Sequence, residues 1–403
     1  MADASLIVDR RTDMGSEPGL HAILIGISDY SNLKDPDSPP GEGLAALKKL
    51  QSAALSAWQV SEKLRALDAE SRLVRRLKTL RLLVAPSVIE LDAQPALAGA
   101  GGADPNRENI RTALIDWRKD VAQSRNEQAL FYFSGHGIRR SLEETILLAR
   151  NFLDANEDVE LNLAFNLRNI YNGMVPSARF PDIGRDQFYF IDACRDKPDA
   201  LDQLEDTQTP KIFKTDLGTY DDRKAPILFA TKTGGVAAGN SGEATYFAKA
   251  LLWSLDHGSF GATDMVGIGA IWPISAQSLK AGVEAADELF ENRIELTGLV
   301  ADPVLCFRRD APSLRFKLAL QPGDAVARVE KVTLIELNHK TESEIPSTQR
   351  SSGETIWDSS IPAGYYRLVV SEKSKVDPMA TSGIEFLSIQ RKMPWTFTIA
   401  GLP

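Results

Sequence analysis

Cysteine is nearly absent: only Cys194 and Cys306 occur among 403 residues. No disulfide framework can hold such a chain, and a reducing cytoplasm is the expected compartment. Two cysteines and four scattered histidines make no zinc-type cluster, so no metal site is expected. No apolar run approaches the roughly 18 residues a membrane helix needs. The stretch Met1–Gly19 carries Asp3, Asp9, Arg10, Arg11, Asp13 and Glu17, lacks the apolar core of a secretory leader, and reads as a tail. Positive charge is also short. Lys+Arg is 46 against 55 Asp+Glu, a net of −9, which excludes the basic stripe of a nucleic-acid binder. What remains is ordinary globular composition, 43% hydrophobic and 25% charged, with room for two or three domains.

Apolar runs punctuated by helical periodicity fill residues 20–310. His21–Ser28 is continuous and rich in β-branched residues, as in a strand buried on both faces. Leu44 to Leu67 has apolar residues at helical spacing, Arg81–Glu90 predicts a second strand, and Asp104-Pro-Asn starts a helix carrying Ile110, Leu114, Trp117 and Val121. Three more strand-like runs, Ala129–Phe133, Gln187–Ile191 and Pro226–Thr231, alternate with helical stretches at Phe247–Leu255 and Ser275–Arg293. Alternation of this kind predicts an α/β domain with a largely parallel sheet. Beyond Arg309-Asp-Ala-Pro312 the texture changes to short alternating segments separated by Pro-Gly, Pro-Ala-Gly and Ser-Ser-Gly turns. Residues 311–403 therefore predict a small antiparallel β-sandwich. Charge divides similarly, −10 for residues 1–310 and +1 for the remainder. An acidic first part mildly favours basic partners.

The chemistry sits at two strand ends. Ligands of open parallel sheets bind outside the carboxyl ends of the strands. His136 follows one apolar run and Cys194 another, so the fold can bring them together although 58 positions separate them. A thiolate nucleophile needs such an imidazole beside it. Gly135 and Gly137 flank the histidine and permit tight turns and close approach of a substrate backbone. By contrast Cys306, inside Val304-Leu-Cys-Phe307, reads as a buried small hydrophobe, and His21, His257 and His339 lack partner motifs.

Phe131-Tyr-Phe-Ser-Gly-His136-Gly137 and Phe190-Ile-Asp-Ala-Cys194-Arg195 resemble the histidine and cysteine motifs of the caspase/metacaspase clan of cysteine proteases, bacterial caspase-like proteins above all. The first strand, Ala22–Ser28, also resembles that fold's opening strand. The resemblance spans about residues 20–310. It implies a caspase-like fold, a Cys194/His136 dyad, and an oxyanion site from the backbone N–H groups of Gly137 and Cys194. It also implies a substrate pocket shaped by Asp192, two residues before the nucleophile: in metacaspase-like proteins an Asp there accompanies cleavage after Arg or Lys. A carboxylate in that place pairs with a cation and repels an acid; a turn-capping role is the structural alternative. Asp29, just past the first strand, is a second candidate pocket acid. The polar stretch Asp196–Lys224 resembles the loop that undergoes self-processing in the family, with Lys211, Lys214, Arg223 and Lys224 as candidates, and it reads equally as a solvated insertion. Thr231–Gly239 matches the segment that borders the substrate groove in relatives.

The expected protein is thus a cytoplasmic endopeptidase acting on protein substrates with Arg or Lys before the cut. The bacterial resemblance implies a regulated effector in defence or cell death. Residues 311–403 read as a docking place for a partner, a regulator or a second copy, and equally as a structural cap on the peptidase domain. A catalytically silent scaffold is the alternative. No cofactor is expected; calcium activation rests on nothing beyond the acidic run in the 196–224 loop.

Overall fold

The computed structural model describes residues 3–39, 41, 43–139, 144–157, 159–194, 209–214, 220–231, 239–257, 272–290, 295–299, 302–308, 310, 313–320, 329–336, 342–349, 355–362, 364–372, 387–389 and 395–399. The chain divides into two compact units, Met1–Gly258 with Ile274–Phe307, and Ser259–Pro273 with Arg308–Pro403. The sequence placed that division at 310/311 and assigned 259–273 to the first part.

The first unit is built on a seven-stranded sheet. Its strands are β1 (Leu6–Asp9), β2 (Leu20–Ile27), β3 (Leu77–Ala85), β4 (Gln128–Gly135), β8 (Asp186–Ala193), β9 (Ala225–Phe229) and β11 (Glu295–Leu299), in the order β1-β3-β2-β4-β8-β9-β11. The five inner strands are parallel, and β1 and β11 pair antiparallel at the two edges. Between β4 and β8 run the short strands β5 (Gly137–Arg139), β6 (Thr145–Leu148) and β7 (Ala164–Asn166), a three-stranded sheet of their own. Strands β10 (Trp272–Ser275) and β12 (Val304–Arg308) complete the set up to residue 308. Helices are α1 (Arg11–Met14), α2 (Ala53–Ala69), α3 (Val88–Ala93), α4 (Arg107–Val121), α5 (Leu167–Gly173), α6 (Tyr246–His257) and α7 (Ala276–Phe290).

Strand alternation sorts the core into two layers. Ile23, Ile25, Phe131, Phe133, Tyr189 and Ile191 face Ile110, Leu114 and Trp117 of α4. Leu24, Leu82, Leu130, Tyr132, Phe188 and Phe190 face α2, α6 and α7 through Val60, Leu64, Phe247, Leu251, Leu279 and Val283. The continuous apolar runs are thus buried on both faces, as a parallel sheet requires. Strand β2 connects to β3 on one side, while β4 lies on its other side. The resulting reversal of strand order is the position where such sheets bind ligands.

Three local expectations change. Residues 3–19, expected as part of a tail, join the fold: β1 pairs at the sheet edge, and Asp3 and Asp120 hold the buried Arg81 at 2.9 and 2.7 Å. An arginine buried within a strand needs those carboxylates, and the polar N-terminal stretch supplies one. The helix expected from Leu44 is interrupted: a short 3₁₀ turn spans Gly43–Ala46 and α2 begins only at Ala53. Ser28 Oγ accepts the N–H groups of Ala53 and Ala54 at 3.0 and 3.1 Å, and Glu90 accepts that of Leu55 at 2.9 Å, which fixes the helix start there. The second strand ends at Ala85, because Ser87 and Glu90 form a capping box that opens α3.

The second unit contains two four-stranded sheets. One orders Ser347–Gln349, Thr355–Pro362, Ser313–Leu320 and Trp395–Ile399; the other orders Glu342–Glu344, Val329–Glu336, Gly364–Glu372 and Leu387–Ile389. The pairings are antiparallel, as expected, at every described pair but one: Ser313–Leu320 and Trp395–Ile399 run parallel.

Candidate active site

A pocket of roughly 280 Å³ opens at the carboxyl ends of β4 and β8. His136, Cys194, Asp192 and Ser134 line it, together with Lys49–Ala53 from the segment before α2, and Thr245 and Gly239. The sequence-predicted dyad is therefore gathered in one cavity. Gly137 abuts the Cys194 backbone: a Cβ there would sit 2.6 Å from the Cys194 carbonyl oxygen and 2.9 Å from Ala193 Cβ. Only glycine lets the strand after His136 approach the strand end before Cys194 this closely.

His136 is buried, and two groups the sequence did not reveal hold it. Its backbone N–H donates to the Tyr30 hydroxyl at 2.7 Å, and the two rings lie 4.9 Å apart. Its Nε2 lies 2.6 Å from the backbone oxygen of Lys48. A carbonyl only accepts, so Nε2 carries the hydrogen and Nδ1 keeps the lone pair in the neutral ring. Burial lowers the imidazole pKa, opposed by the Lys48 carbonyl. The neutral, proton-accepting form is favoured. Lys48 is itself tied down, its ammonium donating to the carbonyls of Ser38 and Pro39. No residue pattern announces a backbone carbonyl, so this partner was illegible.

Asp192 projects from β8 on the α2/α6 side, 2% exposed. Its Oδ2 accepts from Tyr132 at 2.9 Å, from Ser134 at 3.0 Å, and from Thr245 Oγ1. Its Oδ1 is buried with no hydrogen-bond partner. Desolvation pushes the carboxyl up to about 6, against the three hydroxyls that favour its charged form. An Asp capping the following turn would accept backbone N–H groups there; this one accepts hydroxyls and lines the pocket. Thr245 does two jobs: its hydroxyl also accepts the Ala248 N–H at the start of α6. A threonine just before a helical run was the readable signal for that cap.

Other expected residues fall elsewhere. Asp29 is not a free pocket acid: Arg150 binds it at 2.7 Å and Lys49 at 3.1 Å. Those two cations hold its carboxyl below the usual range, opposing desolvation. Arg223 is not an accessible processing site. It is 3% exposed and bound to Asp221, Gln187 and the Tyr171 carbonyl. Lys224 has an exposed side chain, but its N–H and carbonyl pair with Arg185 and Gln187 at the start of β9. Lys211 and Lys214 are exposed. Residues 195–208, 215–219 and 232–238 lie outside the described residues, as does His339. Cys306 is fully buried and its thiol is pushed up to about 12 by desolvation. His21 is buried between Thr79 and Glu127, and His257 stacks on Trp253. Among the described residues no group of three or more His, Cys, Asp or Glu could hold a metal ion, and no helix is long and apolar enough to cross a membrane.

The caspase domain of peptidase family C14 matches residues 20–266. The chain belongs to the caspase family of cysteine peptidases. An uncharacterized protein of Sinorhizobium fredii is 30% identical over 152 residues, which cover 38% of this chain; the match spans 42% of that relative's length. Among solved structures, caspase-1 of Spodoptera frugiperda is similar at 13% identity and a TM-score of 0.38, over 70% of this chain and 87% of that one.

Proposed function

We propose that this caspase-family chain is an endopeptidase that cleaves proteins after Arg or Lys, with Cys194 as nucleophile and His136 as general base and acid. The observation that carries this reading is one pocket lined by both residues and by Asp192, whose Oδ1 is buried without a partner. His136 Nδ1 takes the thiol proton and the Cys194 sulfur attacks the scissile carbonyl carbon. The oxyanion meets the N–H groups of Gly137 and Cys194, a role that rests on the family resemblance. As the C–N bond breaks, His136 returns the proton to the leaving amine, and water then hydrolyses the thioester with His136 again as base. A guanidinium donates to Asp192 Oδ1, while an acidic side chain would desolvate two like charges, at a cost of about 2–5 kcal/mol.

Exposed Lys211 and Lys214 keep self-processing open in the loop between β8 and β9. A regulated defence role is supported by the resemblance alone. Cys194→Ala and His136→Ala should each abolish peptide cleavage in a folded protein, with rate losses of several orders of magnitude because the two act as a unit. Near-normal turnover by folded Cys194→Ala protein would overturn the assignment.

A further inference from the structure

A second cavity, roughly 390 Å³, lies on the α4 side of the sheet, apart from the pocket of Cys194. Arg118 from α4, Arg179 from the loop after α5, and Lys214 converge on it, with Asn172 and Ser177 as neutral neighbours. Among the described residues no acidic side chain lines it. That is unexpected in a chain of net charge −9, and among the described residues none of these three cations forms an ion pair.

Arg118 is the built part. Phe213 and Phe180 flank its guanidinium at 4.0 and 4.5 Å. The two rings satisfy its faces and fix its plane. They leave the in-plane N–H groups, which need acceptors. One nitrogen reaches the Gly173 carbonyl at 3.4 Å, and the buried Nε has no partner. Desolvation, and then the neighbouring Arg179 charge, hold the guanidinium down to about 10. An anion relieves both penalties.

The wall that carries Lys214 is fixed too. Asn169 Oδ1 accepts the N–H groups of Ile212 and Phe213 at 2.8 and 3.1 Å, and its amide donates to the Phe213 carbonyl at 2.9 Å. Phe213 is fully buried against Gly173, where a Cβ would lie 2.1 Å from its ring. A cavity of this size is in the range of small-molecule sites.

We propose that the cavity of Arg118, Arg179 and Lys214 is a binding site for a small ligand bearing two or more phosphate groups. Arginine's planar fork and lysine's point charge suit phosphate oxygens, and three cations match a compact polyanion better than a peptide carboxylate.

The test uses full-length Cys194→Ala protein and tripolyphosphate as probe, by calorimetry at constant ionic strength, with citrate as a carboxylate comparison. Saturable one-to-one binding is expected, weaker for citrate. Arg179→Gln and Lys214→Gln, both at exposed positions, should each weaken it about tenfold, the size of one charge-assisted contact. Arg118→Gln should weaken it further, with circular dichroism to confirm folding. Lys119→Gln, an exposed cation of α4 that does not line the cavity, should leave it within about twofold, as expected of a distant screened charge. Absence of saturable binding, equal loss in Lys119→Gln, or unchanged binding in both Arg179→Gln and Lys214→Gln overturns the site. Citrate binding as tight as tripolyphosphate overturns the phosphate assignment.

Discussion

Under the proposed specificity, Asp192 divides its two oxygens between structure and substrate. Three hydroxyls saturate Oδ2 and hold the carboxyl in one orientation, which leaves Oδ1 for a cation. With the carboxyl pushed up to about 6, the pocket gains its full charge only above that pH. The preference for an Arg peptide over its neutral citrulline counterpart, as a ratio of kcat/KM, should therefore rise as pH increases through about 6. Titration of His136 alters both substrates alike and cancels in the ratio. A ratio flat between pH values well below and well above this point would contradict the pocket role. The same raised value makes the folded protein bind the proton more tightly than the unfolded chain. Stability is lost as pH rises from the usual carboxylate range to about 6, and ionised Asp192 costs about 3 kcal/mol at neutral pH. The position of Asp192 beside the nucleophile was legible in the sequence. The direction of its side chain was not, because that depends on which face β8 turns toward α6.

At the scale of elements, the strands that carry the chemistry were legible because burial on both faces leaves continuous apolar runs. Strands β4 and β8 extend one or two residues past the expected limits and still end beside His136 and Cys194. Short elements were missed. Strand β1 and the strands of the β5–β7 sheet span only three or four residues, too few to show a period; Ile7 and Val8 of β1 pack on the core, and ion pairs of the flanking Asp3 and Arg11 add to its hold. Leu47 and Leu50 stand at helical spacing, yet residues 49–52 form a wall of the pocket instead of a helix, because Ser28 and Glu90 cap α2 only from Ala53 onward. The ion pairs of the N-terminal segment make a prediction. Removing residues 1–10 strips Asp3 from the fully buried Arg81 and leaves Asp120 as its remaining carboxylate. Because Asp120 still pairs the arginine, the loss should be about 2 kcal/mol, the scale of a hydrogen bond to a charged group. Urea unfolding checks it, and an unchanged midpoint would mean that β1 adds nothing to the fold.

At the scale of the whole molecule, two units of different texture interleave along the chain, and the pocket described above lies within the first. Its family was legible from two short motifs, since a nucleophile and its base must both stand at strand ends; the Tyr30 hydroxyl and the Lys48 carbonyl that hold the base have no such signature. If the protein processes itself, the fold narrows the sites. Arg223 and Lys224 are held in the sheet, and the Lys211–Ile212 bond is pinned by Asn169, which leaves Lys214. Mass spectrometry of incubated protein should find a new terminus at Thr215, absent in Cys194→Ala; a cut after Arg223 or Lys224 instead would contradict this fold around β9. In the proposed peptidase the cation preference comes from the charge of Asp192, so removing that charge and keeping the shape is the direct test. Wild-type and Asp192→Asn proteins are compared on peptides that differ only in Arg, citrulline or Asp before the cut, near neutral pH. The expected result is Arg preferred by the wild type, the Arg preference over citrulline lost in Asp192→Asn, and thermal stability of that variant equal or raised. Wild-type preference for Asp, or an unchanged Arg preference in Asp192→Asn, would contradict it.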